Sequence, residues 1–399
     1  MKKLLTVGVA LAVNAASPAQ AAVFDTGDLT VSGFGTIGMA KTNTDQARFV
    51  RYNQIEGVSN EARIGLDTNL GLQASYKANG WLSGTVQILT RKGPVPGFTT
   101  DLTWAFLKAK VNDELSVRVG RIVLPTFLTS DYQNVGYANT MMRPQIEVYA
   151  QSPVESTDGI DLNYQHAVGD FNFSVQPFVG VARGKLYAGA GSATYRAPGY
   201  GVALTAEYAP FLFRFSQAAA KLNSNDVTLL NNVVATLRRA GFAEMASDIN
   251  LSDKKLSTSA LGVTMDWRNI VLQTEYARRR PKSPTYVPGS NAWYAMAGYR
   301  IGTVMPYYAH AHFKHTGNSV RVPDNFPVSG PLGGTVRGLL APAGQSSDLI
   351  GVRWDFAKSV DLKVQVDRVK PNFKTGFLIA PVGYTRAVTV VGATLDFVF

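Results

Sequence analysis

One pattern runs from about residue 28 to the last residue of the chain. Apolar and polar residues alternate in segments of about ten residues, as in "GIDLNYQ" (159–165) and "DLKVQVD" (361–367). Successive side chains of a β-strand point to opposite faces, so this period predicts strands with one apolar and one polar face. Beyond the first 21 residues no apolar run reaches the 18 or so residues typical of a transmembrane helix.

Short and long connectors separate these segments in strict alternation. Seven short ones, such as "ANG" at 78–80 and "NDE" at 112–114, alternate with eight long ones. The long connectors span 41–60, 92–100, 124–157, 183–197, 221–256, 280–291, 315–346 and 372–385. The sixteen strands that they imply lie near 28–40, 61–77, 81–91, 101–111, 115–123, 158–168, 171–182, 198–208, 211–220, 257–267, 270–279, 292–301, 304–314, 347–356, 360–371 and 386–399.

Hairpins with one tight end and one elaborated end are typical of up-and-down antiparallel barrels in bacterial outer membranes. About ten tilted residues per strand cover an apolar band of about 25 Å. The fold class predicted is therefore all-β, a sixteen-stranded transmembrane barrel. Charged residues make up 17% of the chain, below the roughly 25% of soluble domains.

The connector at 221–256 contains a predicted helix. Val227, Leu230, Val234 and Leu237 recur at helical spacing, with Asn225 or Asp226 as N-cap and Gly241 as the stop. We expect this helix to lie outside the membrane, within an extracellular loop.

Both ends of the chain fit export to an outer membrane. Residues 1–21 combine Lys2 and Lys3, an apolar run and an A-x-A site, which predicts a signal peptide cleaved after Ala21 and a barrel domain over 22–399. The chain has no cysteine, so it uses neither disulfides nor thiolates. The last strand ends on Phe399 and would pair with the first, "LTVSGFGTIGMA", so that no sheet edge remains. Phe399 would then join the aromatic girdle.

The polar face of so many strands implies a wet interior, because Lys and Arg on the lipid face cost roughly 2–4 kcal/mol each at the midplane. The formal net charge is +11, which favours anionic partners. Strand alternation assigns the acids Asp67, Asp161, Asp361 and Asp396 to the lumen. The predicted basic lining of the lumen consists of Lys108, Arg214, Arg268, Arg300, His310, His312 and Arg353.

Other chemistries are weaker interpretations of the same residues. "GFGTIG" (33–38) fits a dinucleotide motif but no helix pattern follows it. His310 and His312 share a strand face, yet ordinary pore lining is favoured over a metal site. The scattered basic residues argue against nucleic acid, and "RRRPK" (278–282) is expected to be a solvated rim in contact with lipid phosphates. We therefore expect no cofactor and no metal.

Three stretches resemble the trimeric general-diffusion porins of bacterial outer membranes. They are "EARIGL" (61–66), "VGRIVLPTFLTSDYQNVGY" (119–137) and "STDGIDLNYQ" (156–165). The resemblance implies a homotrimer in contact with outer-membrane lipids, an arginine of the second strand facing the constriction, and a third loop that folds into the pore. It also implies that the final Phe399 serves in assembly.

A sixteen-stranded tube is too wide to select solutes unless it is narrowed, and charged rings set ion preference. Connector 124–157 is the natural constriction, although it could also stay outside and cap the barrel. The predicted constriction set consists of Arg63, Arg118, Arg121, Asp131, Arg143, Glu147 and Glu155.

The predicted function is a water-filled channel for passive diffusion of small hydrophilic solutes and ions, with anions preferred. The alternatives are a lipase-like outer-membrane enzyme and a structural or adhesin barrel. The enzyme would need Ser, His and a third polar group on the lipid-facing side, and no G-x-S-x-G elbow occurs.

Overall fold

The last strand pairs with the first and closes the sheet into a barrel. In the computed structural model, which describes residues 24–188, 191–327, 329–373, 376–381 and 383–399, all strands form one antiparallel sheet. At the seam, the N–H and C=O groups of Phe399 and Gly33 exchange hydrogen bonds of 2.9 and 2.7 Å. The barrel closure predicted from the sequence is confirmed. The predicted signal peptide, 1–21, lies outside the described residues.

Sixteen strands form the wall, in agreement with the connector pattern. A further strand of two residues, Phe24–Asp25, pairs with the start of the first. The wall strands are β1 (Leu29–Thr42), β2 (Arg63–Ile64 and Asn69–Lys77), β3 (Leu82–Lys92), β4 (Phe98–Lys110), β5 (Leu115–Val123), β6 (Ser156–Val168), β7 (Phe171–Tyr187), β8 (Ser192–Tyr208), β9 (Phe211–Leu222), β10 (Lys254–Trp267), β11 (Ile270–Pro281), β12 (Gly289–Tyr299), β13 (Val304–Gly317), β14 (Gly344–Ala357), β15 (Val360–Phe373) and β16 (Val388–Val398).

Most strand boundaries lie within about three residues of the sequence-based prediction, and the larger differences are at β2, β7 and β8. The connector expected at 183–197 is short, because β7 continues to Tyr187 and β8 starts at Ser192, and small extensions of β3 and β4 shorten the one expected at 92–100. The strand expected at 61–77 is interrupted: Gly65 has a φ of +124°, a backbone conformation that favours glycine, and Asp67 turns into the lumen to bind an arginine of a loop. Neither the longer strand pairing nor the interruption of β2 can be predicted from the alternation of neighbouring side chains.

The outer face of the wall is apolar, as a bilayer requires. Large apolar side chains on this face stay exposed in the isolated chain because lipid would cover them. They include Ile37, Leu70, Val86, Leu107, Val119, Ile160, Val179, Phe213, Leu261, Ile350 and Val364.

In the described ranges, four α-helices lie in the long connectors: α1 (Ile146–Tyr149), α2 (Thr228–Arg239), α3 (Ala243–Ile249) and α4 (Gly330–Leu340). The prediction of α2 is confirmed, with Leu230, Val234 and Leu237 buried, but Val227 is its N-cap. The carboxylate of Asp226 instead accepts from the N–H and hydroxyl of Thr194 on β8. Helices α2, α3 and α4 share a small apolar core above the barrel, which we call the outer cap.

None of the helices in the described part of the chain combines the length and the apolar character that a membrane crossing requires.

Candidate functional site

The connector between β5 and β6, residues 124–155, folds into the barrel, and we call it the inner loop. Its two ends meet where the Leu124 N–H donates to the Glu155 carbonyl at 2.9 Å. Between them it carries a 3₁₀ turn (Gly136–Ala138) and α1. Strands from several sides of the barrel bind it. The prediction that this connector turns inward is confirmed, and the alternative of an external cap is wrong.

The tip of the inner loop rests on buried charges of β15 and β16. Lys363 is fully buried, and its Nζ donates to the Gly136 carbonyl at 2.7 Å and to Asp396 at 2.8 Å. A Cβ at position 136 would lie 2.0 Å from the Asp396 carboxylate, so only glycine fits there. Arg353 of β14 donates to the carbonyls of Tyr137 (2.8 Å) and Asn139 (3.1 Å). The tip is therefore fixed through its backbone.

Arg143 joins the inner loop to two strands. Its Nε and Nη2 donate to Asp67 at 2.9 and 2.7 Å, and its Nη1 donates to Asp367 at 2.9 Å. Burial opposes the charge of Arg143, but the two carboxylates outweigh it and raise the pKa of its guanidinium above the usual value. We call Arg143, Asp67 and Asp367 the arginine clamp.

Glu147 of α1 is a buried acid without a cation. It accepts a hydrogen bond from the Gln345 amide at 2.7 Å and another from the Ser347 hydroxyl, both on β14. Its Oε2 has no hydrogen-bond partner among the described residues. Burial raises the pKa of Glu147 above its usual value, and the two hydrogen bonds only partly oppose that rise.

A different wall holds the loop mainly by apolar packing, although the Leu128 N–H also donates a hydrogen bond to Glu275 of β11 at 2.8 Å. Phe127, Met141, Val148 and Tyr149 of the inner loop form one cluster with inward side chains of β10 to β14. Those wall residues are Ala260, Ala277, Ala292, Tyr294, Met296, Tyr307, Ala309, Ala311, Phe313 and Leu349.

This packing reverses the orientation predicted for His310 and His312. Since Ala309 and Ala311 face the inner loop, the two histidines between and beside them face outward. His310 Nδ1 lies 2.8 Å from Asp348, and His312 Nδ1 lies 2.9 Å from the Ser346 hydroxyl. The prediction assumed that polar residues face water in the lumen, but here the lumenal side of the wall is covered by protein.

The remaining acids predicted on the loop are also paired. Asp131 accepts from Arg214 of β9 at 2.9 Å. Glu155 pairs with Arg91 of β3 at 2.9 Å and accepts from the Tyr52 hydroxyl at 2.9 Å. Burial alone would raise the pKa of Glu155, but Arg91 and the hydrogen bonds lower it below its usual value. The acids of the inner loop therefore bind the wall instead of facing an open gap.

Two of the predicted arginines on β5 lie on opposite faces. Arg118 faces the lumen, is bidentate to Asp161 and stacks on Phe106 at 5.2 Å. Arg121 lies three residues further and therefore faces outward, where it binds Asp158 at 2.7 Å. Lys108 is opposite Arg118 in the register of β4 and β5.

The other predicted basic residues are spread along the barrel. Arg63 pairs with Ala40 in register on the lumenal side, but its side chain is 61% exposed and binds only Glu61. Arg300 binds Asp266 at the end with short turns, at 2.6 Å. Arg268 is not in the lumen wall. It lies in the turn between β10 and β11 and stacks on Trp267 at 4.6 Å.

Strand alternation placed Asp67, Asp361 and Asp396 in the lumen, but it gave no sign of their partners. The arginine clamp and the contact of Lys363 with the loop tip join residues more than 70 positions apart, and neither follows from local sequence. Among the described residues, no hydrogen bond or ion pair joins loop residues 128–148 to β4 through β8.

The family to which the chain belongs follows from a sequence comparison. A family model described as Gram-negative porin matches residues 7–370. The chain is a member of that family. Porins of this fold form outer-membrane channels for passive diffusion, and the closed sixteen-stranded barrel with its inward loop is that architecture. A comparison with the sequences of curated proteins finds no significant match.

Solved porin structures share the fold at low sequence identity. An anion-selective porin from Comamonas acidovorans has a TM-score of 0.56 at 13% identity, over 93% of this chain and 99% of that one. OmpF of Salmonella typhi, in a complex with daunomycin, has a TM-score of 0.55 at 15% identity, over 94% and 100%. A trimer form of OmpT from Vibrio cholerae has a TM-score of 0.54 at 11% identity, over 93% and 100%.

Proposed function

We propose that solutes cross this porin between the inner loop and β4 through β8, and that the passage prefers anions. The observation that carries the proposal is the charge on that side of the lumen. Lys108 and Arg118 are adjacent there, and only Arg118 has a carboxylate partner, Asp161, in the described part of the chain. Asp131, on the loop side, is neutralised by Arg214. A positive charge without a carboxylate partner next to a narrow path attracts anions.

Two further facts support anion preference. The chain carries 39 basic and 28 acidic residues. One structural neighbour is described as an anion-selective porin. Exposed charges more than about 8–10 Å from the path are screened at physiological salt, so Lys108 matters more than the net charge.

The test is the zero-current potential of single channels in a salt gradient. We expect Lys108→Gln to shift it toward cations. Lys110→Gln is the matched control, because Lys110 lies nearer the turn and is paired with Asp113 at 2.7 Å. Equal shifts from the two variants, or none, would refute a passage controlled at Lys108.

We propose that the active assembly is a homotrimer. The trimer form of a structural neighbour supports it. So does the charged group Arg121, Asp158 and Arg183 on the outer face, which a protein neighbour would accommodate better than lipid tails. Light scattering of the detergent-solubilised protein gives the mass, and a monomer would contradict the proposal.

We propose that the porin catalyses no reaction. Among the described residues, His312 and Ser346 resemble a catalytic pair on the outer face, at 2.9 Å. No carboxylate orients His312 there, and the amide of Asn372 donates to the same serine hydroxyl at 3.3 Å. Release of fatty acid from phospholipid vesicles that disappears in Ser346→Ala would overturn this proposal.

The two ends of the chain have roles in export. We propose cleavage after Ala21, which N-terminal sequencing of the membrane-inserted protein would test: any start other than Ala22 contradicts it. We also propose that Phe399 serves assembly, because it pairs with Gly33 at the seam and its ring stacks with Phe397 at 6.0 Å. Deletion of Phe399 is expected to lower the amount of heat-modifiable barrel, with unchanged conductance in the channels that do form.

A further inference from the structure

An apolar pocket of about 310 Å³ opens on the inner face of β7 to β11. It lies between the end of the inner loop and the outer cap, at the barrel end with long connectors. Small and aliphatic side chains line the wall, and Val227, Leu251 and Tyr286 of the outer connectors add to the lining. The wall includes Ala182, Ala197, Ala218, Ala220, Leu222 and Leu256.

The same strands are polar lower in the lumen. On β7 the inward side chain of Gln176 is followed toward the outer end by Ala182, and on β9 Arg214 is followed by Ala220. A passage for hydrated solutes gains nothing from an apolar recess in its wall. The change from polar to apolar along one strand face therefore indicates a site for an apolar group.

One cation borders this pocket. Arg279 of β11 faces inward, although the run at 278–282 suggested a solvated rim. Its Nε donates to the Pro288 carbonyl at 3.2 Å and its Nη1 to the Gln151 carbonyl at 3.1 Å. No carboxylate within the described ranges forms an ion pair with Arg279, so its charge is uncompensated. A guanidinium in such a place favours a carboxylate ligand.

A second polar group in the lining also lacks a partner. Thr126 of the inner loop is only 3% exposed, and its Oγ1 makes no hydrogen bond with any residue that the structure describes. Buried hydroxyls are nearly always hydrogen-bonded, and the exceptions call for an explanation. The Thr126 hydroxyl oxygen itself is closed off from the pocket, so the pocket is defined by its apolar wall and Arg279.

We propose that this pocket binds a hydrophobic monocarboxylate, with its apolar body on the alanine wall and its carboxylate at Arg279. The volume is at the lower end of the range for small-molecule sites, which suits a bicyclic aromatic acid or an acid with a medium alkyl chain. The site lies near the long connectors and away from Lys108, which is close to a short turn, and it concerns equilibrium binding. It therefore does not depend on whether the pore prefers anions.

The test is equilibrium binding to the purified full-length porin in detergent, by calorimetry. The probes are 2-naphthoate, the neutral 2-naphthylmethanol and acetate. We expect 2-naphthoate to bind more tightly than the alcohol by about tenfold or more, and acetate to bind no more than weakly. Naphthoate binding that is no tighter than acetate binding would overturn the proposal.

Two variants separate charge from shape. Arg279→Gln is expected to weaken naphthoate about tenfold and to leave the alcohol unchanged. Arg278→Gln is the matched control, because it removes an arginine one residue away on the outer face. Equal losses of naphthoate affinity in these two variants would contradict a role for Arg279.

Ala218→Leu fills the pocket and leaves all charges in place, so it covers the case in which Arg279→Gln disturbs the inner loop. We expect it to weaken naphthoate and the alcohol alike, with conductance and heat-modifiability at wild-type values. Unchanged affinity for both probes in Ala218→Leu would refute the assignment of the pocket.

Discussion

The inner loop is held by two walls of opposite chemistry. On β10 to β14 it is held mainly by apolar packing of Phe127, Met141 and Tyr149, with a few hydrogen bonds such as that from the Leu128 N–H to Glu275. On β14 to β16 and β2 it is held by buried charges, with Lys363 and Arg143 at the centre. Apolar packing tolerates small shifts at modest cost, while buried ion pairs are strongly directional and costly to break. The buried charges of the polar wall therefore set the position of the loop, and the apolar wall adds adhesion that is mostly non-directional.

The largest effect is expected at the arginine clamp. Arg143→Ala leaves Asp67 and Asp367 buried without their shared cation, and breaking a buried pair in this way costs about 3–5 kcal/mol. We expect the loop to leave the polar wall, with higher single-channel conductance and a lower urea midpoint. Arg143→Lys keeps the charge but loses the bidentate geometry. Its conductance and urea midpoint are therefore expected to lie between those of the wild type and of Arg143→Ala. Wild-type conductance in Arg143→Ala would mean that the apolar wall alone positions the loop.

A cavity in the apolar wall is expected to cost less. Met141 is 4% exposed, and truncation of a buried Met to Ala costs about 2–3 kcal/mol in a site that relaxes partly. We expect Met141→Ala to lower the urea midpoint but to leave conductance near the wild-type value, since the clamp persists. Met141→Leu conserves volume and is the control, with an expected loss below about 1.5 kcal/mol. If Met141→Ala raised conductance as much as Arg143→Ala, the two walls would not differ in the way proposed.

The pH dependence of stability sharpens the same comparison. Burial raises the pKa of Glu147, so the folded state binds more protons than the unfolded state at pH values above the unfolded pKa of about 4.3. The contribution of Glu147 to the free energy of unfolding is therefore largest below that pH, and it falls as pH rises through the raised pKa. Glu147→Gln is expected to remove this loss and to stabilise the porin at neutral pH, as measured by urea unfolding between pH 4 and 8.

Glu155 is expected to change the stability with pH in the opposite direction to Glu147. Its pKa is lowered by Arg91, so its contribution is present above the unfolded pKa and is lost as pH falls through the lowered value. Glu155→Gln is expected to destabilise at neutral pH. Stabilisation by both substitutions at neutral pH would contradict the assignment of a paired acid at 155 and an unpaired one at 147.

The smallest effect is expected at Arg63, which touches neither wall. Its side chain is 61% exposed and is already paired with Glu61 at 2.8 Å. Exposed charges are well screened, so Arg63→Glu is expected to move the zero-current potential less than Lys108→Gln does. A larger shift from Arg63→Glu would place the selective part of the passage near β2.

Some elements of the fold could be predicted from the sequence and others could not. Strand alternation and connector lengths were enough for a closed sixteen-stranded barrel, and helical spacing was enough for α2. Both signals are local, since a residue and its neighbours two to four positions away define them. The predicted N-cap of α2, Asn225 or Asp226, was wrong. The carboxylate of Asp226 instead accepts a hydrogen bond from Thr194, on a strand about thirty residues earlier.

The site was predicted less well than the fold. Arg118 and Arg143 were singled out and Asp161 was assigned to the lumen, but the pairs Arg118–Asp161 and Arg143–Asp367 were not predicted, and Arg121 lies on the outer face. The inner loop packs against the lumenal face of β13, so that face is buried in protein and carries apolar side chains instead of polar ones. Ala309 and Ala311 therefore face inward, and His310 faces outward.

The strand pattern and the order of long and short connectors follow from the sequence alone, because each is encoded by neighbouring residues. Which charges stay free in the lumen depends on contacts that form only in the folded barrel. Asp131, Arg143, Glu147 and Glu155 all lie on one loop, yet the wall that each contacts neutralises, clamps or buries it. The electrostatics of a buried group depend on partners far away in sequence, so local sequence does not set them.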